Sequence, residues 1–482
     1  MRSRWILFTL FLMALVAVAA FTVACGSSGT SQTKMSTAAV STTMSDPPTC
    51  AAPTGQYTHV YVTISDVQIH TSATAGATDA GWVDLTPGLK TAPKQVDLLA
   101  LGGTGCVLAD LGSKTNIPAG TYQQIRLYLA PNSASVAGNA CGSNGANCVV
   151  VNGTTTTLSL SSETQTGIKI PPGQIAGGAF TVAAGDNKSL DIDFDACASI
   201  VVQGNGGFRL KPTLHAGEVS LVSNAITGQL VDSVTKTAIP NAKEIVALEQ
   251  KDAAGVDRVI LQVTPDANGA FNLCPVPAGS YDVVAVAIVT SGGAASTSYA
   301  ATITTGVQPG NAMGNILMFA QPGTGTTTQQ AIIGGQVTTA NAANAGTATD
   351  ITLYALQPIT SGTTTTNYTI PLAQQQSAGI NVTTAVATTC PAGTDCVLYQ
   401  LGVPAVEPFI GAFSATGATY TQATSATVNY TVDGLAFVTG GGATPSCSPS
   451  EVQVSTTSTA LPLTVTAGLT TTAADMKFTG CQ

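Results

Sequence analysis

The chain has 482 residues and a formal net charge of −9, and only 9% of its residues are charged although 44% are hydrophobic. Soluble domains usually carry about 25% charged residues, so Thr, Ser, Asn, Gln and the backbone must provide most of the contact with water. The acidic balance disfavours a nucleic-acid-binding protein, because such binding depends on clusters of Lys and Arg against phosphate.

The first 25 residues have the organisation of an export signal. Arg2 and Arg4 precede an uncharged, mostly apolar stretch, Trp5 to Ala24, which ends in small residues before Cys25. A basic start, an apolar core and a small-residue exit are the marks of a secretory signal peptide. The exit cysteine resembles the lipobox of bacterial lipoproteins, in which that cysteine is lipidated, although Thr22 stands where the family prefers Leu. An uncleaved membrane anchor and a soluble secreted protein are the alternatives, because about 20 apolar residues can also span a bilayer.

The segment that follows is rich in Ser, Thr and Gly and has almost no large apolar residue between residues 26 and 49. We predict a flexible tether there, with a reach of about 25–30 Å as a random coil, and a folded part that begins near Cys50. Removal of the signal takes away Arg2 and Arg4 but no acid, so the net charge falls from −9 to −11. No later stretch is both long and apolar enough to span a membrane.

Ten of the 11 cysteines remain when Cys25 is set aside for lipid, an even number suited to disulfides in an oxidising compartment. Turn-forming residues separate the members of two close pairs, and a third pair is isolated in the last region. The predicted disulfides are Cys141–Cys148, Cys390–Cys396 and Cys447–Cys481. The sequence does not assign the remaining four, Cys50, Cys106, Cys197 and Cys274. A zinc site is disfavoured, because no Cys-x-x-Cys occurs and the chain has three His.

Short segments of alternating apolar and polar residues predict half-buried strands along the chain. The clearest are His59–Ile64, Ile125–Ala130, Cys148–Asn152, Thr155–Leu160, Leu190–Phe194 and Phe208–Leu214. No stretch shows a sustained helical period with caps. We therefore expect an all-β protein of tandem β-sandwich modules, immunoglobulin-like or transthyretin-like.

A set of ordered motifs lies between Tyr57 and Ser220. They are Val60–His70, Gly81–Leu85, Val96–Leu101, Ile117–Leu129, Gln165–Ile170, Asp193–Val201 and Leu210–Pro212. This succession resembles domain of unknown function 4382 (DUF4382), which occurs in exported bacterial lipoproteins. The resemblance implies a β-sandwich over 50–220 and an exported location, and it implies no established activity.

The next region, 221–322, has its own turn set. Its motifs are Thr227–Asp232, Ala238–Ala242, Asp266–Phe271 and Val276–Tyr281. The Asn268–Gly269 pair between strand-like segments predicts a hairpin, because Gly accepts a positive φ. The region resembles the carboxypeptidase regulatory-like domain, a transthyretin-like sandwich, and we expect it to fold independently.

The last region, 332–482, follows a predicted linker over 323–331. Gly335-Gln336-Val337 is similar to Gly228-Gln229-Leu230, Ile351–Leu356 falls where Ile245–Leu248 does, and the segment at Leu401 is similar to that at Leu273. These similarities indicate a diverged and expanded second copy of the preceding domain.

Two groups of residues are candidates for binding. Asp191, Asp193 and Asp195 alternate on one predicted strand and so share one face. Clustered carboxylates suit Ca²⁺, and the alternative is a solvated face with Ile192 and Phe194 in the core. Trp82, the one Trp after the signal, is either a sugar-stacking platform or a core residue.

Catalytic motifs are missing from the sequence. It contains no Gly-x-Ser-x-Gly elbow, His-Glu-x-x-His helix or phosphate-binding glycine loop. Asp66, Asp84, Asp97 and His70 are expected to be turn and edge-strand residues rather than an acid–base site. No cofactor is expected apart from the Ca²⁺ candidate.

We therefore predict a non-catalytic, lipid-anchored protein of the bacterial cell envelope, at the outer membrane or the periplasmic face of the inner membrane. Its modules would be structural, adhesive or ligand-binding, with the membrane as one partner and glycans or envelope proteins as others. The alternatives are a carbohydrate-binding accessory protein, which exposed aromatic residues would support, and a hydrolase with an unrecognised site near Asp193 and Asp195.

Overall fold

The structure, a computed structural model, describes residues 37–46, 51–52, 55–101, 107–160, 163–202, 206–212, 214–219, 225–289, 297–321, 330–340, 349–361, 364–372, 379–384, 390–425, 427–438, 447, 449, 451–456 and 462–481. Within these ranges the regular secondary structure is almost entirely β-strand, which confirms the predicted all-β class. No helix in the described ranges combines the length and the apolar character needed to cross a bilayer. The predicted signal, 1–25, lies outside the described residues.

The first unit contains sixteen strands. They are β1 (Thr37–Ser45), β2 (Ala51–Ala52), β3 (Gly55–His70), β4 (Val83–Asp84), β5 (Lys94–Asp97), β6 (Ala109–Pro118), β7 (Gly120–Tyr122), β8 (Gln124–Leu129), β9 (Cys148–Val151), β10 (Thr154–Ser159), β11 (Ile168–Ile170), β12 (Phe180–Val182), β13 (Asn187–Phe194), β14 (Ile200–Val202), β15 (Phe208–Leu210) and β16 (Leu214–Val219). Short 3₁₀ turns lie at Pro87–Lys90, Leu98–Ala100, Gly142–Asn144, Pro172–Gln174 and Ala176–Gly178, and one α-helical turn, α1, at Ala196–Ser199.

Two sheets pack together in this unit. One has the order β16-β13-β1-β6, and the other has the order β11-β8-β3-β9-β10-β15-β14, with β2, β4 and β5 also paired to β3. Alternate residues of β3, including Val60, Val62 and Ile64, are fully buried between the sheets. The predicted strand at His59–Ile64 is therefore the middle of a much longer one.

The predicted tether is wrong at residues 37–45. This segment is β1, which lies between β13, to which it is parallel, and β6, to which it is antiparallel. Ala38, Val40, Thr42 and Met44 alternate into the core and are at most 5% exposed. The segment is mostly Thr, Ser and Ala, so its composition resembles that of a linker. Its buried residues nevertheless recur at every second position, which is the period of a strand.

The second unit contains eight strands. They are β17 (Ile226–Asp232), β18 (Ala242–Lys251), β19 (Val256–Val263), β20 (Ala270–Leu273), β21 (Tyr281–Val289), β22 (Thr297–Ala300), β23 (Thr302–Val307) and β24 (Ala312–Gln321). Gly269 has a φ of 76° and its N–H donates to the carbonyl of Asp266, so the predicted turn is present. The predicted hairpin is wrong, however, because β20 pairs with β17 and not with β19.

The third unit contains twelve strands. They are β25 (Gln330–Ala340), β26 (Thr349–Ser361), β27 (Thr364–Ile370), β28 (Ile380–Thr383), β29 (Thr394–Pro404), β30 (Phe409–Ala412), β31 (Thr421–Gln422), β32 (Val428–Val438), β33 (Glu451–Val454), β34 (Leu463–Val465), β35 (Thr470–Thr472) and β36 (Met476–Phe478). A small sheet contains β29, β25, β35 and β36, and the other strands continue the sheet of the second unit.

The second and third units share a pairing register at their first strands. Gly228 of β17 lies opposite Phe271, and Gly335 of β25 lies opposite Tyr399. A Cβ at either glycine would overlap the facing aromatic ring, so both strands need a residue without a side chain there. Each first strand also runs parallel to the last strand of its unit, with Leu230 opposite Ile316 and Val337 opposite Met476. This correspondence agrees with the similarity between the two sequences.

The two units are joined rather than separate. β19 runs parallel to β27, with Val256 opposite Asn367 and Asp257 opposite Tyr368, and β23 runs parallel to β30. One hydrophobic cluster combines Ile245 and Ile303 with residues of the third unit. The predicted linker, 323–331, lies outside the described residues except for its last two, which belong to β25. The second and third units therefore share part of one core across this linker. Independent folding of 226–319 stays a prediction, and the shared core disfavours it.

The position of β1 in the first sheet can be tested by a cavity substitution. Met44 is 0% exposed, so Met44→Ala should lower the free energy of unfolding by about 2–5 kcal/mol. Thr37 is only partly buried at the start of the same strand, and Thr37→Ala should change the free energy by no more than about 0.5 kcal/mol. Denaturant titration of the full chain measures the free energy of unfolding of both variants. An unchanged unfolding curve for Met44→Ala would mean that this segment is a tether and not a buried strand.

Candidate functional site

The three predicted disulfides are confirmed. Cys141 is bonded to Cys148, Cys390 to Cys396, and Cys447 to Cys481. Cys274 is also disulfide-bonded. Cys25, Cys50 and Cys106 lie outside the described residues, and Cys197 belongs to α1 but its side chain is not described.

The histidines have contacts that hold the fold together. The Nε2 of His70 contacts the carbonyl of Ala80 at 3.0 Å, and its Nδ1 accepts the backbone N–H of Ser72 at 2.9 Å. His59 lies 2.6 Å from a carboxylate oxygen of Asp97. His215 is buried, and burial lowers its pKa to about 4. None of these hydrogen bonds involves a serine hydroxyl or a cysteine thiol.

Trp82 packs against a cation and a second ring. Its indole N–H donates to the carbonyl of Gly76 at 2.8 Å. The guanidinium of Arg126 lies 4.8 Å from the centre of the Trp82 ring, and the ring of His70 lies 5.0 Å away. Arg126 is itself buried and donates to the carbonyls of Ala75 and Thr166. These contacts favour the packing interpretation of Trp82 over a sugar-stacking platform.

The predicted acidic face of β13 exists, but water does not cover it. Asp191, Asp193 and Asp195 are 5%, 6% and 3% exposed, and Ile192 and Phe194 on the opposite face are 0% exposed. The expectation of a solvated face is therefore wrong. The second unit covers this face, because a Cβ at Gly217 of the neighbouring β16 would overlap Pro277 of that unit.

Hydroxyl and amide groups contact the three carboxyls. The hydroxyls of Thr43 and Ser45, on β1, each donate to Asp191 at 2.6 Å. Ser45 also lies 3.4 Å from Asp193, and the amide of Gln262 donates to Asp195. The second oxygen of Asp193 is buried and has no hydrogen-bond partner among the described residues.

The predicted calcium site is wrong. No group of three His, Cys, Asp or Glu among the described residues could hold a metal ion. Successive residues on one face of a strand are about 6.6 Å apart, whereas Ca²⁺ ligands lie at about 2.3–2.6 Å from the ion. Asp191 and Asp195 are thus too far apart to share one ion with Asp193.

Burial changes the protonation of this acidic cluster. It raises the pKa of Asp191 to about 6, and it also raises the pKa of Asp193 well above its usual value, with contributions from Asp195 and Asp46. Burial also raises the pKa of Asp46, which lies just after β1. Asp46 accepts the backbone N–H of Ala196 at 2.7 Å, and this hydrogen bond only partly offsets the effect of burial on its pKa. We call Asp46, Asp191, Asp193 and Asp195 the junction carboxyls, because they lie where the first and second units meet.

A second polar group lies at the joint between β19 and β27. Burial and the neighbouring Asp282 raise the pKa of Asp257 to about 8, and burial also raises that of Glu249. Glu249 accepts the backbone N–H of Thr369 at 3.2 Å, and the Thr369 hydroxyl donates to the carbonyl of Asp257 at 2.7 Å. A carboxyl group and a backbone carbonyl of the second unit thus accept hydrogen bonds from the backbone and the side chain of Thr369 in the third unit.

Arg258 is the main ionic contact across this joint. It is 7% exposed and donates to Asp252 at 3.0 Å, to Glu451 at 2.5 Å and to Asp433. Burial alone would lower the pKa of Arg258, but Asp433 and Glu451 raise it above its usual value. Asp433 and Glu451 are 175 and 193 residues away in sequence, so no local motif could have identified this group.

An open groove lies at the other side of the first unit. Its volume is about 540 Å³, and its lining includes Tyr61 of β3, Asp97 of β5, Pro93, and Ala137 of the loop between β8 and β9. From the sequence, these residues are predicted only as parts of strands, turns and a disulfide-containing loop. The one available signal was the His59-x-Tyr61 alternation, which places both rings on the same face of β3.

Residues 37–212 match the family model described as domain of unknown function (DUF4382). The match confirms the resemblance proposed for the first unit and begins at residue 37, where β1 begins. No curated protein matches the chain.

Three solved structures with some similarity are bacterial proteins, and two of them are pilins. The Bacillus anthracis TIE protein is 9% identical with a TM-score of 0.14, and the alignment covers 92% of this chain and 50% of that chain. The major pilin of Corynebacterium diphtheriae is 11% identical with a TM-score of 0.16, covering 92% and 99%. The minor pilin of Streptococcus agalactiae is 8% identical with a TM-score of 0.14, covering 54% and 97%. Likenesses at these TM-scores support no transfer of function.

The junction carboxyls should make stability depend on pH. A carboxyl whose pKa is higher in the folded state binds more protons when folded, so its stabilising effect is complete below about pH 4 and is lost as the pH rises. For Asp191 the loss occurs between about pH 4 and about pH 6, and for Asp193, whose pKa burial also raises, the loss begins at the same pH and continues until its folded-state pKa is passed. Asp193→Asn should therefore match the wild type near pH 4 and be more stable at pH 8, with a difference that grows by up to about 1.4 kcal/mol per pH unit.

His215 lies directly opposite Asp193 in the β13–β16 ladder, and its lowered pKa acts in the opposite direction between about pH 6.5 and 4. The comparison at pH 8, above this range, is therefore the decisive one. Asp110→Asn, at an exposed carboxylate, is the matched control and should show no such trend. A pH-independent difference between Asp193→Asn and the wild type would contradict the proposed protonation.

Removal of Arg258 should destabilise the joint between the second and third units. Arg258→Met leaves Asp433, which is 0% exposed, without its cation, and should cost about 3–5 kcal/mol. Adding Asp433→Leu should restore most of the loss, whereas Glu451→Gln alone, at a more exposed partner, should cost less than about 1 kcal/mol. Denaturation at pH 7.5 measures all three, and equal losses in the single and double variants would exclude an unpaired Asp433 as the cause.

Proposed function

We propose that this protein is a non-catalytic component of the bacterial cell envelope, exported and anchored through lipid on Cys25. Its β units form a joined structural module that holds a binding surface away from the membrane. The observation that carries the proposal is the fusion of the second and third units through β19 and β27, which makes a continuous sheet rather than a hinged chain.

Three further features support this proposal. Disulfides persist in oxidising compartments, and three are formed between described cysteines. The scarce charged groups are used at contacts between units: Lys211 of the first unit, 4% exposed, donates to the carbonyls of Ile351 and Val382 of the third unit. The contacts of His59 and His70 are with an Asp side chain, aromatic rings and backbone, as expected for structural residues.

The carboxypeptidase regulatory-like identity of the second unit belongs to this proposal. The equivalent registers around Gly228 and Gly335 support a duplication of one ancestral unit that produced the second and third units. A duplicated pair joined at equivalent strands suits a rigid spacer, because neither copy can rotate without breaking the sheet.

Lipid attachment at Cys25 can be tested directly in bacterial cells that express the full chain. Radiolabelled palmitate should be incorporated into the wild type, and the protein should fractionate with membranes. Cys25→Ser should lose both properties, whereas the matched variant Cys390→Ser, which removes a cysteine far from the exit site, should keep the label. Equal labelling of the Cys25→Ser protein and the wild type would refute the anchor.

A further inference from the structure

We propose that the groove lined by Tyr61 and Asp97 binds a neutral oligosaccharide. The inference concerns a site in the first unit and does not depend on lipid attachment. The groove has the size expected of a ligand site, because its volume of about 540 Å³ lies within the range of about 300–1,000 Å³ common for such pockets.

The floor of the groove combines an aromatic surface with a carboxylate. The rings of His59 and Tyr61 are stacked, with centroids 5.4 Å apart and an angle of 15° between their planes. Tyr61 lies directly opposite Asp97 in the β3–β5 ladder. An aromatic ring suits the C–H face of a sugar, and the neighbouring carboxylate suits its hydroxyls.

Asp97 is held in position by two hydrogen bonds and can still accept hydrogen bonds from a ligand. One of its oxygens lies 2.6 Å from Nδ1 of His59, and the other accepts the backbone N–H of Val60 at 3.2 Å. A carboxylate has about four lone-pair positions, so two remain for ligand hydroxyls. Its side chain is 15% exposed, which gives the groove access to it.

One wall of the groove is a rigid loop. Gln95 of β5 accepts the backbone N–H of Ala140 at 2.7 Å and donates to Asn139 at 2.9 Å and to the carbonyl of Ala146 at 3.0 Å. The Cys141–Cys148 disulfide ties the same loop, just after its lining residues, to the start of β9. A wall fixed before binding reduces the entropy cost of binding a flexible ligand.

The character of the lining selects the ligand class. The small residues Ala137, Gly138 and Ala140 leave the wall smooth, and Leu89 and Pro93 form an apolar opposite side. The lining carries one cation, Lys94, and one anion, Asp97, so these two charges balance. The net charge of −9 on the whole chain then disfavours anionic ligands. A groove that is open to solvent and lined by both polar and apolar groups suits a hydroxyl-rich chain better than a compact apolar molecule.

The test uses the full chain purified in detergent and saturation-transfer NMR with four probes. Three are neutral, namely hexamers of maltose-type glucose, cellulose-type glucose and N-acetylglucosamine, and the fourth is an acidic galacturonic acid trimer. We expect binding of at least one neutral hexamer at millimolar concentration and a weaker signal from the acidic trimer. Absence of binding by every neutral hexamer, or stronger binding of the acidic trimer, would overturn the proposal.

Variants assign any binding to the groove. Ala137→Trp fills it from an exposed loop position and should abolish binding, whereas Ala253→Trp, at an exposed turn elsewhere, should leave binding unchanged. Tyr61→Ala should weaken binding about tenfold, and Tyr61→Phe, which keeps the ring, should bind within about twofold of the wild type. If Ala137→Trp binds as tightly as the wild type, the oligosaccharide binds elsewhere and the assignment is wrong.

Discussion

The parallel pairing of β19 with β27 is the contact on which the C-terminal half of the molecule depends. Both strands follow the second strand of their own unit in a hairpin, so they occupy equivalent positions in two similar units. Each would otherwise be an edge with unpaired backbone groups, which is a site for unwanted association. Joining the two edges removes that hazard and produces one continuous sheet.

Several of the chain's few charged residues lie where units meet. Arg258 spans the β19–β27 joint, Lys211 reaches from the first unit to carbonyls of the third, and Asp195 receives a hydrogen bond from Gln262 of the second. Buried ionic and polar groups add little net stability compared with apolar packing, because their desolvation is costly. We interpret them as groups that determine which faces pack together, since a misaligned joint would leave a buried charge unpaired.

The groove is separate from these joints and depends on different interactions. β3 is the longest strand of the first unit, and β5 and β9 pair with its first half, beside which the disulfide-closed loop lies. The joints between units therefore hold the body of the protein rigid, while a loop fixed by Gln95 and a disulfide shapes the ligand surface. This division suits a protein whose body is a support and whose recognition lies at one side.

The sequence by itself determined the strands, the local disulfides and the internal similarity. Alternation with a period of two identified β3 and β8 to β10. Short turn-rich loops identified the disulfides Cys141–Cys148 and Cys390–Cys396. The motif at Gly335 predicted that β25 corresponds to β17 of the preceding unit, as their pairing registers show. These features depend on residues close in sequence or on repeated patterns. Only the tertiary structure decided that β1 belongs to a sheet, that Asp191, Asp193 and Asp195 are buried, and that Arg258 binds Asp433. An alternating strand has the same pattern whether water or another unit covers its polar face, and partners 175 residues apart leave no local signal.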